Sequence, residues 1–226
     1  MSGGLLPAVT LRSVAGEAAA TTFTPVHYED GYAYPLLVWL HDEGQSDSDL
    51  PTLMQHISLR NYVAAAPRGD LALAAACSTG ASGWCDSTDA VIDTEERVIA
   101  AIELAQNRFN VRPDRVFLAG VGAGGTAALR VGLANPDVFS GVASFDGPMP
   151  LGGRPLRSLY RSRRLPLLLS ASRESRQYPQ TQLCRDLRLL HTAGCHVNIR
   201  QYPGDDDLTT TMLSDLDSWM MEIVCG

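Results

Sequence analysis

Lysine is absent from this sequence of 226 residues, and all 18 of its basic side chains are arginines. That removes Schiff-base and pyridoxal chemistry, along with the lysine that cradles phosphates in P-loops and kinases. No run of 18 apolar residues occurs, so no membrane-spanning helix is expected. The opening residues, MSGGLLPAVTLRSVAGEAAA, lack a basic leader followed by an apolar block and a cleavage site, which makes a soluble, cytoplasmic protein the expectation. The five cysteines (Cys77, Cys85, Cys184, Cys195 and Cys225) are odd in number and form no CxxC pair. Neither a disulfide framework nor a zinc cluster is therefore indicated, and the thiols are expected to be reduced and mostly buried. The 25 acidic residues outnumber the basic ones for a net charge of −7, so no general attraction to nucleic acid or anionic membrane is expected. Any anion site must be local.

The length suits one domain, taken as residues 1–226. Apolar runs read as strands at Leu36 to Leu40, Tyr62 to Ala66, Arg115 to Ala119, Gly141 to Phe145, Leu165 to Leu169 and His196 to Gln201. Residues 1–33 are expected to hold two short strands, with the alanine-rich stretch from Ala15 to Thr22 as a loop between them. Because most of these runs are continuous rather than alternating, they predict strands buried on both faces. Helical periods separate them. Val91, Val98, Ile102, Ala105 and Phe109 share one face, as do Leu183, Leu187 and Leu190, and then Met212, Leu216, Trp219 and Ile223. A further helix should open at Gly124 or Gly125 and stop at Pro136. This alternation predicts an α/β fold with a mostly parallel central sheet, helices on both faces, and ligands at the carboxyl ends of the strands.

Gly120-Val121-Gly122-Ala123-Gly124-Gly125 follows a strand and opens a helix, and two chemistries place glycines there. Read as GxGxxG, it is a dinucleotide fingerprint, with Asp146 ending the next strand where a ribose-binding acid belongs. Against that stands its position in mid-chain, behind at least two earlier strands. Read as GxSxG, it is a nucleophile elbow, the strained turn that lifts a serine hydroxyl above the sheet.

The flanking blocks favour the second reading. LLVWLHDEG at Leu36 to Gly44, YVAAAPRG at Tyr62 to Gly69, RVFLAGVGAGGTAALRVGLANPDVFSGVASFDGPMP at Arg115 to Pro150, LPLLLSASRESRQYP at Leu165 to Pro179 and LLHTAGCHVNIRQYPGDDDL at Leu189 to Leu208 occur in order. Over residues 34–224 the chain resembles the phospholipase/carboxylesterase group of α/β-hydrolases, which includes acyl-protein thioesterase-like enzymes. The resemblance implies an α/β-hydrolase fold, no cofactor and an ester-cleaving Ser–His–Asp triad. It also implies where the triad belongs, and there the chain departs from the pattern. The nucleophile's position is Gly122. The acid's, four residues before Pro179, is Ser175, with Glu174 beside it. The histidine's, three residues after Pro203, is Asp206. A triad needs a nucleophile, a base and an orienting acid, so its usual acyl-enzyme is not expected here. The oxyanion-hole region, where the resemblance implies a histidine and a glycine-rich stretch, reads His41-Asp42-Glu43-Gly44, which brings negative charge to the place an oxyanion would form. The backbone amide of Ala123 is left as a donor.

The expectation is therefore an α/β-hydrolase with a degenerate triad, acting as a non-catalytic binding or regulatory protein. The alternatives are a hydrolase with a relocated constellation, drawing on Asp206 or His41, and a dinucleotide-binding protein. Arg68 in the Pro67-Arg68-Gly69 turn, Trp84 in the Gly/Ser-rich loop that follows it, and Glu174 are candidate ligand-binding residues. The five histidines show no metal-ligand spacing, and Asp205 to Asp207 read as a solvated turn in preference to a cation site. Cys77 and Cys85 have no histidine nearby in sequence to activate a thiol. Arg154, Arg157, Arg161, Arg163, Arg164, Arg173 and Arg176 crowd into one stretch, whose residues 151–164 are a candidate lid for an anionic ligand or an acidic partner. The ligand, whether small molecule or protein, is not named by the sequence, and a homodimer is expected only by analogy.

Overall fold

The computed structural model describes residues 20–69, 84, 88–150 and 159–226. Seven strands form one sheet: β1 (Ala20–Phe23), β2 (Tyr34–Leu40), β3 (Val63–Pro67), β4 (Val111–Val121), β5 (Gly141–Phe145), β6 (Leu167–Ser172) and β7 (Val197–Tyr202), in the order β1-β3-β2-β4-β5-β6-β7. Every pairing is parallel except that of β1 with β3. The stretch read as a loop ending at Thr22 thus contributes Ala20, Thr21 and Thr22 to a strand, because β3 would otherwise leave its outer backbone groups without partners. Residues 15–19 lie outside the described residues.

Among the described residues, five α-helices accompany the sheet: α1 (Leu50–Ile57), α2 (Thr88–Arg108), α3 (Ala123–Ala134), α4 (Gln180–Ala193) and α5 (Thr210–Cys225). The period of two along each strand divides the core into two layers. Leu36, Val38, Leu40, Leu118 and Val142 face one layer with Val98 and Ile102 of α2 and Ala128 and Val131 of α3. Leu37, Trp39, Phe117, Phe145 and Leu168 face the other with Met54 of α1 and Met212, Leu216 and Trp219 of α5. β2 is buried at all of its positions, as its continuous apolar run requires, whereas β7 alternates poorly and lies exposed at the sheet edge.

β6 begins at Leu167, two residues later than its apolar run, and continues through Ser172. The helix α1 was not anticipated. A one-turn 3₁₀ segment, Asp47–Asp49, precedes it, capped by Ser46, whose side chain accepts from the amide of Ser48 while Asp49 returns a bond to the amide of Ser46. Pro51 then sits in the first turn of α1, where its missing N–H costs nothing.

The residues 159–164 of the candidate lid form a 3₁₀ segment docked at the amino ends of the strands. Leu159 is in the core, Ser162 Oγ donates to the carbonyl of Leu133 at 3.2 Å, and Arg163 Nε donates to that of Ala193 at 2.8 Å. Arg161 pairs with Asp137 at the surface. These arginines stand at the opposite end of the sheet from Gly122, and residues 151–158 lie outside the described residues. Cys184 and Cys225 are exposed and Cys195 is half-buried, all three with free thiols, so the expectation of mostly buried cysteines fails for them; Cys77 and Cys85 are outside the described residues.

Candidate active site

The elbow is built by one residue. β4 ends at Val121 and α3 begins at Ala123, leaving Gly122 to turn the chain with φ 53° and ψ −120°, a conformation side chains rarely adopt. Its N–H donates to the carbonyl of Phe145 at 2.8 Å and its own carbonyl accepts from the amide of Thr126 at 3.1 Å, which fixes the turn from both sides. Gly120 and Gly124 allow β4 and α3 to meet here; a Cβ on Gly120 would lie 2.8 Å from the carbonyl oxygen of Leu40. The local backbone is therefore that of a nucleophile elbow, with hydrogen in place of a side chain.

The space is filled from β2. The loop after that strand carries Asp42, and its Oδ1 accepts from the amide of Ala123 at 2.8 Å and from the amide of Glu43 at 2.8 Å. The donor that sequence reasoning left available for an oxyanion is thus already engaged by a carboxylate. A carboxylate is well placed at the amino end of a helix, where the N–H groups and the helix dipole are both favourable to negative charge. A Cβ built on Gly122 would overlap this same carboxylate.

His41 is buried and has no free nitrogen. Nε2 accepts from the amide of Gly69 at 3.2 Å, so the ring proton is on Nδ1, which donates to the carbonyl of Asp42 at 2.8 Å. Trp84, also buried, donates from Nε1 to the carbonyl of His41 at 2.8 Å, and the two rings lie 5.3 Å apart. These two candidate site residues are joined in one structural unit that holds the loop of Asp42, and neither offers a group to a ligand through those atoms.

On the far side of the elbow, Ser175 and Asp206 meet. Ser175 Oγ donates to Asp206 Oδ1 and accepts from the amide of Tyr178 at 2.8 Å, while the amides of Arg176 and Gln177 donate to Asp206 at 3.2 and 3.4 Å. The loops are tied by backbone too, with Glu174 N–H on the carbonyl of Gly204 at 2.9 Å. What burial Asp206 has works to raise its pKa, but the bonds from Ser175, Arg176 and Gln177 outweigh it and hold the carboxyl below its ordinary value of 3.8. The positions assigned by resemblance to acid and histidine are therefore adjacent, with a hydroxyl donor at the first and a carboxylate at the second.

Beneath them lies Asp146, buried, with φ 51°, its oxygens accepting from the amide and hydroxyl of Ser172 at 2.6 and 2.9 Å. Burial raises its pKa, the two bonds from Ser172 oppose the rise, and the charges of Asp206 and Asp42 add to it; the net shift is upward. Both oxygens of this buried acid are already engaged by Ser172, which weighs against the dinucleotide reading of Gly120 to Gly125.

Arg68 is occupied with structure. Its guanidinium binds Asp47 at 2.9 and 3.5 Å, and Thr21 donates to the same carboxylate at 2.7 Å. Burial tends to raise the pKa of Asp47, but the bonds from Arg68 and Thr21 prevail and hold it below 3.8. Sequence reasoning missed this buried acid; its only signal was its place in the capping sequence Ser46 to Asp49. The side chain of Glu174 is exposed beside Ser175. Among the described residues, no group of three or more His, Cys, Asp or Glu side chains is arranged to hold a metal ion, and no helix is long and apolar enough to cross a membrane.

No protein-family model matches the chain. NocK of Nocardia uniformis subsp. tsuyamanensis, provisionally named an esterase, is 34% identical over 119 residues, which are 51% of this chain and 33% of NocK. The aligned part of this chain thus spans about a third of that relative's length. Solved structures superpose over nearly the whole molecule. SOBER1 of Arabidopsis thaliana matches with a TM-score of 0.70 and 21% identity, over 85% of this chain and 100% of that one. A carboxylesterase of Mesorhizobium loti matches with a TM-score of 0.74 and 16% identity, over 95% and 98%. One of Bacillus cereus matches with 0.71 and 12%, over 92% and 96%. The protein has the α/β-hydrolase fold, as its seven-stranded, mostly parallel sheet and strand-to-helix elbow already indicate.

Proposed function

We propose that this chain does not work as a serine hydrolase, although it is built like the carboxylesterases and phospholipases of its fold, and that it acts as a binding or regulatory protein for a small-molecule or protein ligand. The single observation that carries the reading is the elbow itself, where Gly122 supplies no nucleophile and the carboxylate of Asp42 holds the amide of Ala123. Ser175 and Asp206 support it, since their pairing leaves no base to receive a proton from a nucleophile. The free thiols of Cys184, Cys195 and Cys225 support a reducing compartment, and we place the protein in the cytoplasm.

A second reading, an ester or thioester hydrolase with a non-standard constellation, draws on Asp206, the carboxylate at the histidine's position; its lowered pKa keeps it ionised but makes it a weak base, which counts against this reading. Exposure of the pure protein to a fluorophosphonate separates activated serine chemistry from its absence. No labelling is expected; rapid stoichiometric labelling would overturn the proposal. Slow ester turnover lost on Asp206→Asn, without labelling, would favour the second reading.

A further inference from the structure

We propose that Asp42 is a built-in plug of the elbow, a carboxylate that interlocks with Gly122 so that a side chain at position 122 is accommodated only when the carboxylate is displaced or removed. The inference deepens the function proposed above and rests on it for its catalytic meaning, but its structural content is independent.

Three observations converge on it. First, one oxygen of Asp42 takes both the Ala123 and the Glu43 amides, each at 2.8 Å, so the elbow donor carries an acceptor from within the chain. Second, an ideal Cβ at position 122 would overlap the carboxyl carbon and both oxygens of Asp42. A side chain on residue 122 and the carboxylate of Asp42 in its present place are mutually exclusive. Third, the backbone around Asp42 is held on both sides. The carbonyl of His41 accepts from Trp84, the carbonyl of Asp42 accepts from His41 Nδ1, and the amide of Asp42 donates to Gln45 Oε1 at 3.1 Å. The bonds to His41 and Gln45 lie within the loop and keep its shape, and those from Trp84 and Gly69 to His41 anchor it to the rest of the fold; rotating the Asp42 side chain out of the elbow would break its two amide bonds.

The electrostatic consequence follows directly. An oxyanion approaching Ala123 meets a donor already engaged and a like charge at contact distance, the reverse of a preorganised oxyanion hole. Restoring nucleophile, base and acid at 122, 206 and 175 would leave that obstruction in place, and a new serine at 122 would have to expel Asp42 first.

Thermal unfolding of four proteins tests the interlock: the natural chain, Gly122→Ala, Asp42→Ala and the double variant. Gly122→Ala alone should lower Tm by about 5–15 °C, through its positive φ and the overlap with Asp42. On the Asp42→Ala background the same change should cost less than half as much, because only the backbone strain remains. Equal losses on both backgrounds would overturn the proposal. Should Gly122→Ala fail to fold, amide hydrogen exchange of Asp42→Ala against the natural chain decides. Exchange at Ala123 and Glu43 should accelerate by roughly tenfold or more while Val131 in mid-α3 is unchanged; unaltered exchange at both would overturn the proposal. Neither arm reads turnover, so their failure is distinguishable from a failure of the proposed function.

Discussion

The hydroxyl of Ser175 donates to the carboxylate of Asp206, a contact that joins the loop after β6 to the loop after β7. The contact brings together the positions that the resemblance implies, by their spacing from Pro179 and Pro203, for the acid and the histidine. It also reverses the polarity of an acid–histidine pair, since the donor stands where the acid would be and the acceptor where the ring would be. The bond has a pH signature. Asp206 has a folded pKa below its unfolded value, so its stabilisation is present above about pH 3.8 and is lost as pH falls through the folded pKa. Asp206→Asn should therefore lower Tm at pH 7 and converge on the natural protein's Tm at strongly acid pH. Parallel Tm curves from pH 2 to 7 would contradict this.

Asp146 carries the opposite sign. Its pKa is raised on folding, so ionising it in the folded state is costly, and stability from this group falls as pH climbs from its unfolded value of 3.8 through the folded one. Asp146→Asn keeps an acceptor for the Ser172 amide and removes the charge that opposes Asp42 and Asp206. The Tm difference, variant minus natural, should grow more positive across that window. A difference independent of pH would show that the carboxyl is not perturbed.

The buried acid Asp47 ties β1, through Thr21, to the turn after β3, through Arg68. Asp47→Ala leaves Thr21 and Arg68 without their acceptor. With Arg68 at 44% exposure the loss is discounted toward the surface range, to about 1–3 kcal/mol. Urea unfolding should show it as a lower midpoint, and Arg68→Ala should cost less than Asp47→Ala because the acid remains bonded to Thr21. The reverse order would contradict the assignment of Arg68 to structure.

His41 and Trp84 should behave as structural partners. Removing the imidazole frees the Gly69 amide and the Asp42 carbonyl and strips the indole of its neighbour, so His41→Ala should lose about 2–4 kcal/mol in urea unfolding. His41 and Trp84 substitutions should be strongly non-additive in a double-mutant cycle. Additive losses would return His41 to the list of free functional groups.

Much of the scaffold was legible in the sequence because burial on both faces leaves a signal no surface segment imitates. The runs at Leu36 to Leu40 and Gly141 to Phe145 coincide with the cores of β2 and β5, and the apolar periods through Val98, Ile102 and Ala105 and through Met212, Leu216 and Trp219 mark the faces of α2 and α5 that enter the two layers. What escaped was decided by tertiary context. α1 is short and its apolar Leu50, Leu53, Met54 and Ile57 were passed over, although the capping pattern from Ser46 to Asp49 announces it. β1 is a four-residue edge strand whose alanine and threonines pair with β3 only because β3 needs a neighbour. At the site, the acidity beside the oxyanion position was readable from Asp42 and Glu43. That Asp42 itself would take the Ala123 amide was not, because the approach of β2 to the elbow is set by Gly120 and Gly124 across the sheet. Arg68 and Trp84 looked free for the same reason: their partners, Asp47 and the carbonyl of His41, are remote in sequence.

The central claim is that the elbow of this hydrolase fold carries no working nucleophile. It is tested most directly by following hydrolysis of short-chain p-nitrophenyl and thio esters by the natural protein beside the variant Asp42→Gly, Gly122→Ser, Ser175→Asp, Asp206→His. The account predicts no saturable turnover from the natural protein and a burst of product from the variant. Saturable turnover by the natural protein, with a burst of product and stoichiometric labelling by a fluorophosphonate, would contradict it.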